Sequence, residues 1–345
     1  MELACPIPIS DYDRILLAHG GGGKLMHQLI EKMIFNELKN EFLEQTHDGA
    51  LLPIKGNKVA FTTDSFVVNP LFFPGGNIGD LAINGTVNDL VCCGAKPLYL
   101  SLSFIIEEGL LMDDFWKIIQ NIKAAALKSG VKIVTGDTKV VEKGKGDGIF
   151  INTAGIGELI PDLSINPIHC QTGDVIIING AIAEHGIAVL SKREGLTFET
   201  DIVSDSASLN TMMEAVFEVS NKIHVLRDPT RGGLASTLNE IAQASNTGIT
   251  LYEKNLPISE SVKGACELLG FDPLYVANEG KIVVILPEDA AEKVLETMKE
   301  FPEGKGSCII GKVTALHPGK VHLETVIGSK RMVDMISGEQ LPRIC

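Results

Sequence analysis

No Cys-x-x-Cys pair occurs in the 345 residues, and the seven cysteines (5, 92, 93, 170, 266, 308 and 345) form an odd, scattered set. Such spacing supports neither a disulfide framework nor a zinc ribbon. No uninterrupted apolar run approaches the roughly 18 residues that a membrane span needs. The first cationic side chain is Arg14, so the N-terminus lacks the basic region of a secretory signal. The expectation is a cytoplasmic protein with no membrane association. Positive charge is also short: 30 Lys and Arg stand against 44 Asp and Glu, a formal charge of −14. A surface of that sign repels phosphate backbones, which sets nucleic acid aside as a partner. Walker A spacing, the dinucleotide fingerprint and any short-period repeat are missing too. A prenylation signal is excluded, because its Cys stands four from the end, whereas Pro342-Arg343-Ile344-Cys345 places the thiol last.

What is present fits a two-domain protein of mixed α/β class. The 45% hydrophobic content and 35 Gly suit a turn-rich globular chain, and the length allows about two cores. Leu25, Leu29, Met33, Leu38 and Phe42 recur at helical spacing after the glycine run 20–23. Strand-like residues 58–68 follow, then a helix over 78–93 stopped at Gly94, a β run over 98–106, and a helix capped by Asp113 or Asp114 that ends at Gly130. Strands at 131–135 and 149–160 complete an N-terminal domain of residues 1–160. The stretch 161–173, with two prolines and little periodicity, reads as the boundary. Residues 170–330 repeat the alternation as a second domain: strands at 174–179, 248–252, 281–286 and 308–315, with helices near 185–194, 207–222, 233–245, 259–269 and 288–300. A tail, 331–345, ends on the reactive Cys. Two sheet-and-helix layers, one per half, are the predicted architecture.

Cys345 is a candidate for a swinging arm, since terminal residues order poorly and a thiolate is a strong nucleophile; Arg343 beside it would favour ionisation. A frayed end that happens to be Cys is the plain alternative. Gly20-Gly21-Gly22-Gly23-Lys24 opens into a helix, so free N–H groups and the Lys24 charge could receive phosphate, or the run is a flexible linker. Acids recur where strands are expected to end: Asp64 in Thr62-Thr63-Asp64-Ser65, Asp137 in Gly136-Asp137-Thr138-Lys139, and Asp228 in Asp228-Pro229-Thr230-Arg231-Gly232-Gly233. Each alone is a turn former. Together they suit magnesium and a nucleotide, with Lys139 and Arg231 meeting phosphate. On the helix 78–93, Asn77, Asp80, Asn84 and Asn88 share a stripe roughly 80° wide at about 100° per residue. Either they tie down neighbouring backbone or they face a ligand. Asp89 lies about 100° off that stripe. Cys92-Cys93 read as core thiols, and Glu279, in Asn278-Glu279-Gly280-Lys281, reads as a turn residue.

Taken together, these segments resemble the HypE family of hydrogenase maturation proteins, within the PurM-like superfamily of aminoimidazole ribonucleotide and selenophosphate synthetases. The likeness runs nearly end to end through His19 to Gly23, Thr62 to Val68, Phe72 to Gly79, Gly85 to Asp89, Val134 to Val141, Asp228 to Gly233, Asn278 to Lys281 and the terminal Pro-Arg-Ile-Cys. The resemblance implies a PurM-like homodimer whose N-terminal halves share a β-barrel, with ATP between the domains. It implies that Asp64, Asp89, Asp137 and Asp228 bind Mg²⁺ and ATP, and Asn77 stands where many relatives carry Asp. It implies the reaction as well: the carbamoyltransferase HypF loads the terminal Cys, ATP drives dehydration of that thiocarboxamide to a thiocyanate, and cyanide passes to iron on HypC and HypD. Glu279 would be the base, and Lys139 would orient the tail or phosphate. Competing readings are a selenophosphate-synthetase-type enzyme and a non-catalytic thiol carrier.

Overall fold

The fold was taken from a computed structural model that describes residues 12–20, 24–45, 52–55, 58–196, 202–335 and 343–345. Two sheets organise it. In the first, order β1-β6-β4-β5, β1 (Val59–Phe66), β4 (Ala95–Glu107) and β6 (Ile149–Leu159) run antiparallel to their neighbours, while β5 (Lys132–Val141) lies parallel to β4. The parallel step is allowed by the crossover helix α4 (Met112–Ser129) between β4 and β5. A small hairpin, β2 (Phe72–Phe73) and β3 (Gly76–Asn77), leads into α3 (Ile78–Cys92). The second sheet holds seven strands in the order β13-β12-β9-β11-β7-β10-β8. They are β7 (Val175–Ile178), β8 (Val225–Arg227), β9 (Gly248–Tyr252), β10 (Val283–Leu286), β11 (Cys308–Thr314), β12 (Val321–Glu324) and β13 (Lys330–Val333), flanked by α5 (Glu184–Glu194), α6 (Asn210–Val219), α7 (Gly233–Ser245), α8 (Glu260–Leu269) and α9 (Glu288–Lys299).

Several expected elements are corrected. The helix after the glycine run is α1 (Lys24–Leu29), which passes through a π-helical turn (Ile30–Phe35) into the short α2 (Asn36–Leu38), so Phe42 falls in a turn outside it. Neither Asp113 nor Asp114 caps α4; the N-cap is Leu111 and both acids sit in the first turn, where the helix dipole favours negative charge. Gly130 does end α4, at φ 71° in the left-handed region. The short strands β8, β12 and β13 lack a long alternating pattern and escape a sequence reading. Because β13 occupies Lys330–Val333, the tail expected from residue 331 begins later.

α3 is apolar nearly all round: Ile78, Leu81, Ile83, Val87 and Leu90 are fully buried, so the helix is a core element shared between layers. Its Asn stripe resolves into ties. Asn77 caps the helix, accepting from Gly79 N at 2.7 Å, and Asp80 completes the capping box by accepting from Asn77 N at 2.7 Å. Asn84 donates to Ser206 Oγ at 3.1 Å. Asn88 donates to Ala207 O (3.0 Å) and Glu279 O (3.2 Å) and accepts from Leu209 N at 2.9 Å, stitching the first half of the chain to the second. Every polar atom of this buried amide is committed, so its removal strands three backbone groups. Asn88→Ala is expected to cost about 2–3 kcal/mol of stability, read as a lower urea midpoint at unchanged slope.

Candidate functional site

β1, α3, the segment 226–231, the Glu279 segment and the chain's last residue converge on one cleft of about 640 Å³, lined by Thr62, Asp64, Asp89, Arg227, Asp228, Arg231, Glu279 and Cys345 among others. Asp64 lies inside β1 and not beyond its end, as does Asp137 inside β5. The alternation of an edge strand turns Asp64 to the cleft side, opposite Thr153 of β6. Asp89 comes from α3 and accepts from Thr62 Oγ1 at 2.8 Å. Asp228 directly follows β8, ahead of the turn at 231–232 that leads into α7. The helical period could not bring Asp89 to the Asn stripe; the strand beside it supplies its partner instead.

These acids repel one another across a space short of compensating cations. Burial, then the Asp89 charge, raises the Asp64 carboxyl to about 6, against Ser65 N–H and Arg231, which lower it. Burial also raises Asp89, opposed by the Thr62 hydroxyl and Arg227. Asp228 is pushed up by burial and by Asp89. Among the described residues, no three His, Cys, Asp or Glu side chains form a ready cation site by themselves. The acid set therefore fits Mg²⁺ only as Mg²⁺ is ordinarily held with nucleotides, through a few carboxylates plus phosphate oxygens and water.

Glu279 is the innermost acid. The expectation of a surface turn residue is corrected on its exposure: the chain bends at 279–280, but only 4% of the Glu279 surface is exposed, and its Oε1 is buried without a hydrogen-bond partner. Burial and the charges of Asp228, Asp205, Asp64 and Asp89 hold it well above the usual carboxylate range. Its backbone is pinned from several sides. Asp205 accepts from Glu279 N (3.2 Å) and Gly280 N (3.3 Å) and pairs with Lys281 at 3.2 Å. Asn278 donates to Pro229 O at 2.8 Å and accepts from Ala183 N at 2.7 Å, joining the Asp228 loop to the start of α5. Glu279 thus lines the cleft with one carboxyl oxygen that has no protein partner.

Cys345 reaches the same cleft by antiparallel pairing with the continuation of β1. Val67 N donates to Cys345 O at 3.0 Å and Asn69 N to Arg343 O at 3.3 Å. Ile344 is 3% exposed within the first core, a burial of about 1.5–3 kcal/mol. From α5, His185 Nε2 meets Ile344 O at 2.9 Å and Arg193 Nη2 donates to Arg343 O at 2.6 Å. The expectation that Arg343 assists the thiol is corrected. Arg343 pairs with Asp147 and donates to Val67 O at 3.3 Å, whereas Arg231 is the cation that hydrogen-bonds the sulfur. Burial and Glu279 prevail over it, and the thiol is pushed up to about 12.

Other expected site residues lie apart. Asp137 and Thr138 line a second, mostly apolar cleft of about 180 Å³ with Met26, Ile30, Leu102 and Phe104. Lys139 is exposed and pairs with Asp137 at 2.7 Å, so within one chain this group does not join Cys345. Gly20 packs against Val140, where a Cβ would approach to 2.7 Å. Gly21, Gly22 and Gly23 and the Lys24 side chain lie outside the described residues. Gly232, at φ 77°, starts α7 beside Arg231. Asn77 and Asn88 are engaged as described above. Cys93 is exposed at the cleft wall and Cys92 half-buried there, contrary to a pair of core thiols. His185, Arg193 and Asp205 carried no sequence signal, since each is a lone polar residue without a motif.

Neutralising Asp64 tests the repulsion. Its folded carboxyl is raised above the unfolded value, so the ionised form is disfavoured in the folded chain, and the penalty grows as pH rises through the ordinary carboxylate range to about 6. Asp64→Asn is therefore expected to raise Tm of the nucleotide-free protein at pH 8, with the gain shrinking towards pH 4.5; calorimetry at the two pH values checks it.

Comparison with known proteins agrees with this fold. The chain matches the AIR synthase related protein N-terminal domain over residues 46–159 and the C-terminal domain of the same family over 171–324. It is 50% identical to the carbamoyl dehydratase HypE of Azotobacter vinelandii over 329 residues, 95% of this chain and 96% of that protein. The structure of a hydrogenase maturation protein HypE in complex with ATP superposes with a TM-score of 0.92 at 47% identity, covering 96% of this chain and 99% of the other. A HypE–HypF complex superposes at 0.79 with 49% identity, covering 89% and 99%. At this identity and coverage, with both domains matched and the PurM-like fold in place, the chain belongs to the HypE family of hydrogenase maturation carbamoyl dehydratases.

Proposed function

We propose that this protein dehydrates a carbamoyl group borne on the Cys345 sulfur to a thiocyanate at the expense of ATP, supplying cyanide for the iron of a hydrogenase. The observation that carries the reading is the delivery of the Cys345 sulfur into the one cleft where Glu279 waits unpartnered among Asp64, Asp89 and Asp228. The amide oxygen of the carbamoyl group attacks the γ-phosphorus of ATP, the bond to the β-phosphate bridging oxygen breaks, and ADP leaves. Loss of one N–H proton gives an imidate phosphate. Removal of the second N–H proton as the carbon–oxygen bond breaks forms the nitrile and expels phosphate. Glu279 is placed to take that proton, because a carboxylate held above its usual range is a stronger base once ionised. Arg231 screens charge on the reacting group. Mg²⁺, held by Asp64, Asp89 and Asp228 with the phosphates, would neutralise charge on the transferring phosphoryl group.

The docked thiol, pushed up to about 12, is a poor nucleophile. Loading by HypF therefore requires Cys345 to leave the cleft, and dehydration requires its return. Transfer of the cyanide to iron on HypC and HypD takes place outside the cleft on this reading. Asp137, Thr138 and Lys139 lie on the edge strand β5. A homodimer that closes the four-stranded sheet into a barrel would present them to the partner's cleft, with ATP between. The glycine run would cover its phosphates.

Two measurements check the reading. Carbamoylated protein mixed with Mg²⁺ and ATP is expected to lose about 18 Da, one water, from the peptide ending in Cys345; an unchanged adduct favours a mere carrier. Glu279→Gln is expected to keep ATP affinity while slowing that mass loss at least about a hundredfold, with Lys139→Ala slowed as well.

A further inference from the structure

We propose that His185 is a positioning residue for the reaction, a single buried donor on α5 that reads the main chain of the incoming tail and holds the sulfur in register with Glu279. The proposal rests on the reading of Cys345 as the carrier of the carbamoyl group. His185 is fully buried, its Nε2 meets Ile344 O at 2.9 Å, and its Nδ1 meets Ser204 Oγ at 2.8 Å. A carbonyl can only accept, so Nε2 bears the hydrogen and Nδ1 accepts from the serine. Burial lowers the imidazole below its ordinary range, against Asp205 and the Ile344 carbonyl, which keeps this neutral form. Phe73 packs edge-on against the ring at 5.4 Å and fixes its plane.

The frame that holds His185 also holds Glu279. The start of α5 is bonded to residues 277 and 278, through Ala183 N to Asn278 Oδ1 at 2.7 Å and Gly186 N to Ala277 O at 3.1 Å. Ser204 is adjacent to Asp205, which accepts from Glu279 N. The tail carbonyl and Glu279 are thus fixed to one short piece of structure. When the tail leaves, the imidazole N–H gives up this hydrogen bond and Ile344 gives up its burial, which favours return. One neutral hydrogen bond is also weak enough to break at each turnover. Arg193, two turns along the same helix, adds a solvent-side contact to Arg343 O at 2.6 Å.

The test measures docking without chemistry: the full chain is labelled with iodoacetamide, and each cysteine is followed by mass spectrometry. His185→Phe removes the donor and keeps a ring; it is expected to label Cys345 roughly tenfold faster, with the buried Cys170 and Cys266 unchanged. His185→Gln, which can place an N–H near the Nε2 position, should return labelling towards the wild-type rate. Dehydration of the carbamoylated protein should slow in His185→Phe and recover in His185→Gln. Unchanged Cys345 labelling in His185→Phe overturns the proposal. If that variant labels Cys170 and Cys266 faster as well, Arg193→Met decides: selectively faster Cys345 labelling supports the tail clamp, and wild-type labelling overturns it. Failure of the wild-type carbamoylated protein to lose water with ATP would instead sink the proposed function, whatever the labelling shows.

Discussion

Repulsion among Asp64, Asp89, Asp228 and Glu279 across a single cleft is the constraint on which the rest of the structure depends. Four carboxyl groups held close together are unfavourable unless a cation, a proton or a ligand answers them. The chain holds them there by committing the surrounding backbone: Asp205 and Asn88 fix the Glu279 segment, Asn278 fixes the Asp228 loop, and Thr62 fixes Asp89. The resulting field is one that a cation or a proton relieves, and with burial it raises the Glu279 carboxyl. On the proposed function, nucleotide binding and proton transfer would share that physical origin.

On the proposed function, the same field would separate loading of the sulfur from its dehydration in time. A thiol inside this cleft is held protonated by burial and by Glu279, with only Arg231 opposing. On the proposed function, attack on a carbamoyl donor would need the thiolate and dehydration would need the acids, so one sulfur would serve two environments in turn. Docking uses chiefly main-chain hydrogen bonds and the burial of Ile344, contacts that bind without demanding a particular side chain at the end. The neighbouring Arg343 is turned outward to Asp147, which keeps its charge out of the reacting site.

α3 links these parts. It supplies Asp89 to the cleft, and through Asn84 and Asn88 it anchors the loop that carries Ser206 and Ala207. An almost wholly apolar helix tolerates asparagines because each amide finds backbone or hydroxyl partners, and those partners belong to the other half of the chain. The cleft is therefore an interdomain feature whose walls are registered by a buried helix.

Residue identities and local patterns settled much in advance. The 3.6-residue period of 233–245 and 288–299, the alternation along β1, the stop at Gly130 and the acids beside small hydroxyl residues are properties of neighbours in the chain, where local geometry decides. What tertiary structure alone decided is pairing at long range. Glu279 is a buried acid whose backbone is pinned by Asp205, 74 residues away. Arg231 displaced Arg343 beside Cys345, and His185 met Ile344 across 159 residues. Asp137 and Lys139 were carried to another edge. Burial, and with it the strength of every charge in the cleft, depends on which distant surfaces close over a residue, and no local pattern encodes that.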